Sequence, residues 1–201
     1  LAEHHPKNKV SIASSGGIKP LVTLLGTGTE RAQEHAANAL ACLALDNEDN
    51  QVQVTEQLVE LLKLGSQDAQ SRAAASLWRL VHENPDSTHS IAKGGAAADL
   101  VHLLLMGKPP AREYALWALS LSTDATNQKI ICDEGGIKPL VRMLGASTVV
   151  HQEQAAEALA RLAHDNPEEC AHTNVWAGRD MTQTAIARQG GIAPLIALLD
   201  A

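Results

Sequence analysis

Few residues in this 201-residue chain combine in patterns that reaction chemistry would need. The nearest are His4-His5, the His164-Asp165 step and Cys170-x-His172. A histidine beside a carboxylate is the oriented half of a general base, and a cysteine near a histidine is half of a nucleophile pair or of a zinc site. A structural zinc ion needs four ligands at defined spacing, and an activated thiol needs both a base and a group that orients it; none of the three groupings supplies these. The Gly-Gly pairs are not followed by the Gly-Lys-Ser/Thr that a phosphate loop requires. Cys42 and Cys132 lie among apolar neighbours and read as small core residues. The chain is therefore expected to be no enzyme, and to use no metal and no cofactor.

Composition points the same way. A formal charge of −7 and a pI near 5.7 lack the basic footprint of a nucleic-acid binder. With 45% hydrophobic residues, 2% aromatic and no Phe, the core must be built from Leu, Ala, Val and Ile, which suits close-packed helices. Cysteines number three, an odd count, and Asn-x-Ser/Thr is absent, so the expected home is a reducing compartment, the cytoplasm or the nucleus. No apolar run is long enough to span a bilayer, and no membrane partner is expected.

What does recur is a phrase. Gly16-Gly17-Ile18-Lys19-Pro20-Leu21-Val22 returns as Gly135-Gly136-Ile137-Lys138-Pro139-Leu140-Val141 and as Gly190-Gly191-Ile192-Ala193-Pro194-Leu195-Ile196, with weaker copies at Leu58-Val59 and Leu100-Val101. In four copies a second leucine follows the first at a constant 19 residues: Leu21 to Leu40, Leu58 to Leu77, Leu100 to Leu119, Leu140 to Leu159. Successive copies are 37, 42, 40 and 55 residues apart, counted between Leu21, Leu58, Leu100, Leu140 and Leu195, which is the period of a helical solenoid apart from the last interval. Units are expected at about 8–46, 47–83, 84–123, 124–166 and, in part, 182–201, forming one array over residues 1–201.

Each unit reads as three helices. A short polar one ends at Gly-Gly, where missing side chains allow a sharp reversal. A short apolar one follows, with proline in its first turn, where its absent N–H breaks no hydrogen bond. A longer amphipathic one comes third: residues 149–164 place Ala155, Ala158, Leu159 and Leu162 on one face and Gln152, Glu153, Glu157 and Arg161 elsewhere. Alanines at matching places, Ala36-Ala37 and Ala73-Ala74, let neighbouring third helices approach closely. Two departures stand out. From Asn50 to Leu58 the second unit lacks Gly-Gly and most of a first helix, and residues 167–181, with Cys170, Trp176 and Arg179, read as an inserted loop.

Gly-Gly-Ile-x-Pro-Leu-Val followed by an Ala-Ala-x-Ala-Leu third helix resembles the armadillo repeat family over nearly the whole chain. The stretch Glu113-Tyr114-Ala115-Leu116-Trp117-Ala118-Leu119-Ser120 is similar to third helices of importin-α and β-catenin relatives. A HEAT array would have two helices per unit and no Gly-Gly step. The resemblance implies an all-α, right-handed superhelix of three-helix repeats, whose third helices line a concave groove that holds extended peptides. Projected onto this chain, the groove rungs are His35, Asn38 and Cys42; Arg72, Ala75 and Arg79; Tyr114, Trp117 and Leu121; Gln154, Glu157 and Arg161, flanked by Glu34, Glu113 and Glu153. The expected partner-binding residues are His35, Asn38, Arg72, Arg79, Tyr114, Trp117, Gln154, Glu157 and Arg161. Arginines there would grip backbone or acidic groups, and Tyr114 and Trp117 would supply an apolar anchor.

The import-signal version of that groove uses a repeated Trp with Asn one turn later. Here those positions read Asn38, Ala75, Trp117, Glu157 and Cys42, Arg79, Leu121, Arg161, a single match, and two arginines would repel a lysine-rich peptide. Acidic or phosphorylated segments suit such a groove better. The expected function is a non-catalytic protein-interaction scaffold that holds a peptide or partner protein in the third-helix groove. The alternative is the substrate-recognition region of a larger ubiquitin ligase, since Glu34 to Leu40 is similar to armadillo arrays appended to a U-box domain, or a transport adaptor. Neither end reads as a cap, so the chain is expected to be a piece of a longer array, with apolar stacking faces around Leu1 and Ile196 to Leu199 that promote end-to-end contact between copies.

Overall fold

The computed structural model describes residues 5–84, 88–120, 125–145, 148–163, 187–188 and 190–199. Among them every regular element is an α-helix: α1 (Pro6–Ser14), α2 (Ile18–Thr27), α3 (Glu30–Ala44), α4 (Glu48–Leu64), α5 (Gln67–Glu83), α6 (Thr88–Lys93), α7 (Ala96–Met106), α8 (Pro109–Ser120), α9 (Ala125–Asp133), α10 (Ile137–Met143), α11 (Val149–Ala163) and α12 (Ile192–Leu199). The loop expected at 167–181 and the residues Leu1, Leu121 and His164 lie outside the described residues.

The Gly-Gly step works through two separate constraints. The first glycine is left-handed, with φ of 78° at Gly16 and 74° at Gly135. Its N–H reaches back to the carbonyl of Ala13 or Cys132, and the N–H of the second glycine reaches Ile12 or Ile131 at 2.9 and 2.8 Å. These paired bonds close the helix C-terminus. The second glycine has ordinary backbone angles, but a Cβ on Gly17 or Gly136 would stand 2.8 Å from the carbonyl oxygen of Ile12 or Ile131. The weaker third copy keeps the essential part: Gly95, five residues before Leu100 as Gly16 is before Leu21, is left-handed at φ 73°. A Gly135→Ala variant is expected to lose about 1–2 kcal/mol, the cost of a left-handed residue with a Cβ, measured as a lowered denaturation midpoint.

Packing sorts the helices into three layers. The third helices stack as α3 on α5, α5 on α8 and α8 on α11. The alanines make this possible: Ala36, Ala73, Ala115 and Ala155 are buried at the contacts, and the leucines expected from the 19-residue spacing, Leu40, Leu77, Leu119 and Leu159, are buried beside them. Second helices stack as α2 on α4 and α4 on α7, and first helices as α1 on α4, α4 on α6 and α6 on α9.

Helix α4 therefore belongs to two layers, which corrects the reading of the second unit. Its first helix is present and runs without a break into the second over Glu48–Leu64. No glycine interrupts this stretch, so nothing ends the helix, and its N-terminal half still makes first-helix contacts. Buried Asn50 donates from Nδ2 to the carbonyl of Leu43 at 2.9 Å, and buried Gln51 accepts from Ser90 Oγ at 2.9 Å. Outside, Lys93 on α6 meets Glu48 at 2.6 Å and holds that carboxyl below its usual range, first by hydrogen bonding and then by charge.

Similar polar links run along the first-helix layer. Lys9 donates from Nζ to the carbonyl of Leu45 at 2.8 Å, Asn127 from Nδ2 to Thr88 at 3.0 Å, and Gln128 from Nε2 to Arg161 at 3.2 Å. The Leu45 and Arg161 carbonyls lie at the C-terminal ends of α3 and α11, where helices leave carbonyls without intrahelical partners, whereas Thr88 opens α6 and its carbonyl gains an additional donor. Replacing Asn50 by alanine leaves the buried Leu43 carbonyl without its side-chain donor, and a stability loss of about 1–3 kcal/mol is expected in urea titration.

Candidate functional site

The third-helix layer carries the residues expected to bind a partner, and their positions differ in kind. Thr29 and Ser66 start α3 and α5 by accepting the N–H groups of Ala32 and Ala69, both at 3.3 Å, so each helix begins with a capped N-terminus. Between α3, α5 and the start of α8 lies an open groove of about 310 Å³. Its floor includes Leu25, Ala37 and Ala75, with Glu30 and Glu34 on the α3 side, Arg72 and Arg79 on the α5 side, and Trp78 and Tyr114 at one end.

That end is an aromatic cluster. Tyr114 and Trp117, three residues apart on α8, meet edge to face with centroids 5.3 Å apart at 86°. Trp78 on α5 leans against both, 5.4 Å from Trp117 and 6.3 Å from Tyr114. His82, one turn beyond Trp78, adds a fourth ring at 5.1 Å. Each such pair contributes about 0.5–1.5 kcal/mol beyond area burial, so the cluster both joins two repeats and presents a rigid apolar surface. The three large rings are partly buried against the core. Trp117 stands outside the groove lining, and its indole N–H is buried without an acceptor among the described residues.

Sequence reasoning places Tyr114 and Trp117 here but leaves Trp78 unassigned. A signal exists: Trp78 and His82 are i and i+4 on one helix face, and that face turns toward the next repeat. Only the stacking of α5 on α8 shows that the next repeat offers Tyr114 and Trp117 there.

Of the three arginines expected to bind a partner, two are engaged within the chain. Arg79 bonds Glu83 at 2.6 Å and also the Asn38 side-chain oxygen across the α3/α5 contact. Arg161 bonds Glu157 at 2.6 Å. Arg72 has no hydrogen-bond or ion-pair partner among the described residues, and it lines the groove. Gln154 accepts from Ser120 Oγ at 2.8 Å, and His151 faces Glu113 at 3.4 Å, both joining α8 to α11. His35 is exposed on α3 and Cys42 is a partly buried free thiol. The structure thus brings Arg72, Arg79 and Tyr114 into one groove, links Asn38 and Trp117 to it, and leaves Gln154, Glu157 and Arg161 on α11 outside its lining. Among those residues, no group of three His, Cys, Asp or Glu side chains could hold a metal ion, and no helix is long and apolar enough to cross a membrane.

Residues 5–44 and 124–164 match the family model of the armadillo/β-catenin-like repeat, and these are the two stretches in which Gly-Gly, the proline-initiated helix and the alanine-rich third helix occur together. Both stretches are matched as armadillo repeats, and the fold is that of an armadillo solenoid. Solved structures agree along the full solenoid. An engineered protein superimposes with a TM-score of 0.70 at 27% identity, covering 99% of this chain and 78% of that one. A designed armadillo repeat protein in complex with the peptide (KR)4 gives 0.68 at 21% identity, covering 98% and 80%. A computationally designed armadillo repeat protein for modular peptide recognition gives 0.67 at 22% identity, covering 100% and 82%. At these last two identities the likeness is one of fold. No curated protein matches the chain.

Proposed function

We propose that this armadillo array is a non-catalytic scaffold that holds an extended peptide segment of a partner protein along its third-helix face, anchored at the Trp78, Tyr114 and Trp117 cluster. The observation that carries this reading is the cluster itself. Three large rings out of four aromatic residues in the chain gather at one inter-repeat step, at the end of an open groove, in a protein whose core otherwise uses aliphatic side chains. Aromatic residues in partly desolvated settings are the side chains that dominate binding energy. One designed protein of the same fold holds a (KR)4 peptide and another was designed for modular peptide recognition, which supports a peptide as the occupant. Cys42 and Cys132, neither of them in a disulfide, suit a reducing compartment, the cytoplasm or nucleus, as the place of action.

The test is partner capture followed by titration with groove variants. Arg79→Glu removes the link to Asn38 and places a negative charge beside Glu83 at the groove wall. Its expected effect is weaker binding whose size shrinks as salt rises, because the wall is solvent-exposed and screened within about 10 Å at moderate ionic strength. A salt-independent loss would mean that the array itself had been disturbed. Unchanged binding by this variant and by Tyr114→Ala, with loss on substituting the outer α2/α4 surface, would move the site elsewhere.

A further inference from the structure

The groove between α3 and α5 has walls of opposite charge that do not neutralise one another. Glu30 and Glu34 line the α3 side and Arg72 lines the α5 side, yet none of the three has an ion-pair partner among the described residues. Nearby charges do pair: Arg79 takes Glu83, Arg161 takes Glu157, Lys93 takes Glu48 and Lys63 takes Asp99. Glu30 has a local role in the first turn of α3, where a carboxylate favours the helix dipole. Glu34, one turn later, and Arg72 have no such role.

We infer that the groove selects an extended segment in which basic and acidic side chains alternate, the basic ones directed to Glu30 and Glu34 and the acidic one to Arg72. This rests on the peptide-scaffold reading above and adds its charge pattern. In an extended chain successive side chains point to opposite sides, so a segment lying between two walls sends alternate residues to each. The spacing fits as well. Four residues of helix separate Glu30 from Glu34 by about 6 Å along the axis. Every second residue of an extended chain is about 6.8 Å from the last. The apolar floor of Ala37 and Ala75 leaves room for the backbone, and Trp78 with Tyr114 closes one end. A uniformly basic segment would meet Arg72, and a uniformly acidic one would meet the two glutamates.

The probes are fluorescein-labelled peptides of equal length built around a central leucine: alternating Lys and Glu, all Lys, all Glu, and all Gln. The alternating peptide is expected to bind most tightly, by about three- to fivefold over each of the others, as suits a few solvent-exposed ion pairs. Glu34→Gln should erase its advantage over the all-Glu peptide, and Arg72→Gln its advantage over the all-Lys peptide. Glu34 is exposed and Arg72 half-buried, and matched melting curves verify that the array is intact. If the neutral or a uniformly charged peptide binds as well as the alternating one, and Tyr114→Ala weakens all of them, the charge pattern is overturned while the groove remains the binding site. If no peptide binds, both readings fall. Self-association of the chain in sedimentation that Glu34→Gln and Arg72→Gln abolish would make a second copy the occupant and overturn the inference.

Discussion

Leu116→Ala is expected to remove about 3 kcal/mol of stability, within the usual 2–5 kcal/mol for a buried leucine, and to shift the urea midpoint down by about 1–2 M. Leu116 is fully buried on α8, and α8 packs against α5, α7 and α11, so its side chain sits where two repeats meet. The core is built mainly of leucine and alanine on helices held by stacking, which can close only part of the resulting cavity. The effect should not be spread evenly. Each repeat of a solenoid is stabilised chiefly by its neighbours, so a defect at the central interface loosens the coupling of the two ends. A broadened transition, with hydrogen exchange faster in α8 and α11 than in α2 and α3, is the expected signature. Leu64→Ala provides the control, because Leu64 is 87% exposed and its loss should change stability by less than about 0.5 kcal/mol. Equal effects of the two variants would show that the layer assignment is wrong.

Trp117→Ala is expected to weaken partner binding by about 2 kcal/mol, roughly thirtyfold in Kd. Trp117 is outside the groove lining, so the loss acts through the cluster: without it, Trp78 and Tyr114 lose their shared support and cease to form a rigid end wall. Trp117→Phe keeps an aromatic face at that contact. It also removes a buried N–H that has no acceptor among the described residues, so it should retain most of the binding. Isothermal titration of both variants, alongside their melting curves, separates the roles. Full binding by Trp117→Ala, with unchanged stability, would leave the anchor with Trp78 and Tyr114 alone. Binding lost equally in both variants would point to the shape of the indole itself.

Much of the solenoid is legible in the amino-acid sequence. The burial of Leu40, Leu77, Leu119 and Leu159 follows from a constant interval, because equivalent positions of successive repeats occupy equivalent places in the stack. The Gly-Gly reversals follow from glycine's freedom at positive φ, although the need for the second glycine comes only from its distance to the preceding carbonyl. The fused helix α4 is not legible in the same way, because a missing Gly-Gly reads as a missing helix. Asn50 and Gln51 show that the chain keeps the layer without the break.

The binding face divides along the same line. Tyr114 and Trp117 are within reach of sequence because they stand three apart on one strongly patterned helix. Trp78 is not, since its significance lies in what α8 brings to it from about forty residues away in the chain, and such pairing depends on how two helices rotate as they stack. The pairing of Arg79 with Glu83 and Asn38, against the unpaired Arg72, is equally beyond sequence, because both arginines occupy the same kind of position on one face. Periodicity and glycine placement, which are local properties, determined by themselves that this chain is a helical solenoid of repeated units, and the Gly-Gly-Ile-x-Pro-Leu-Val phrase carries its resemblance to armadillo repeats. Which charges are neutralised, which rings meet and where a groove stays open were decided only by tertiary structure, since each depends on distances between side chains of different repeats.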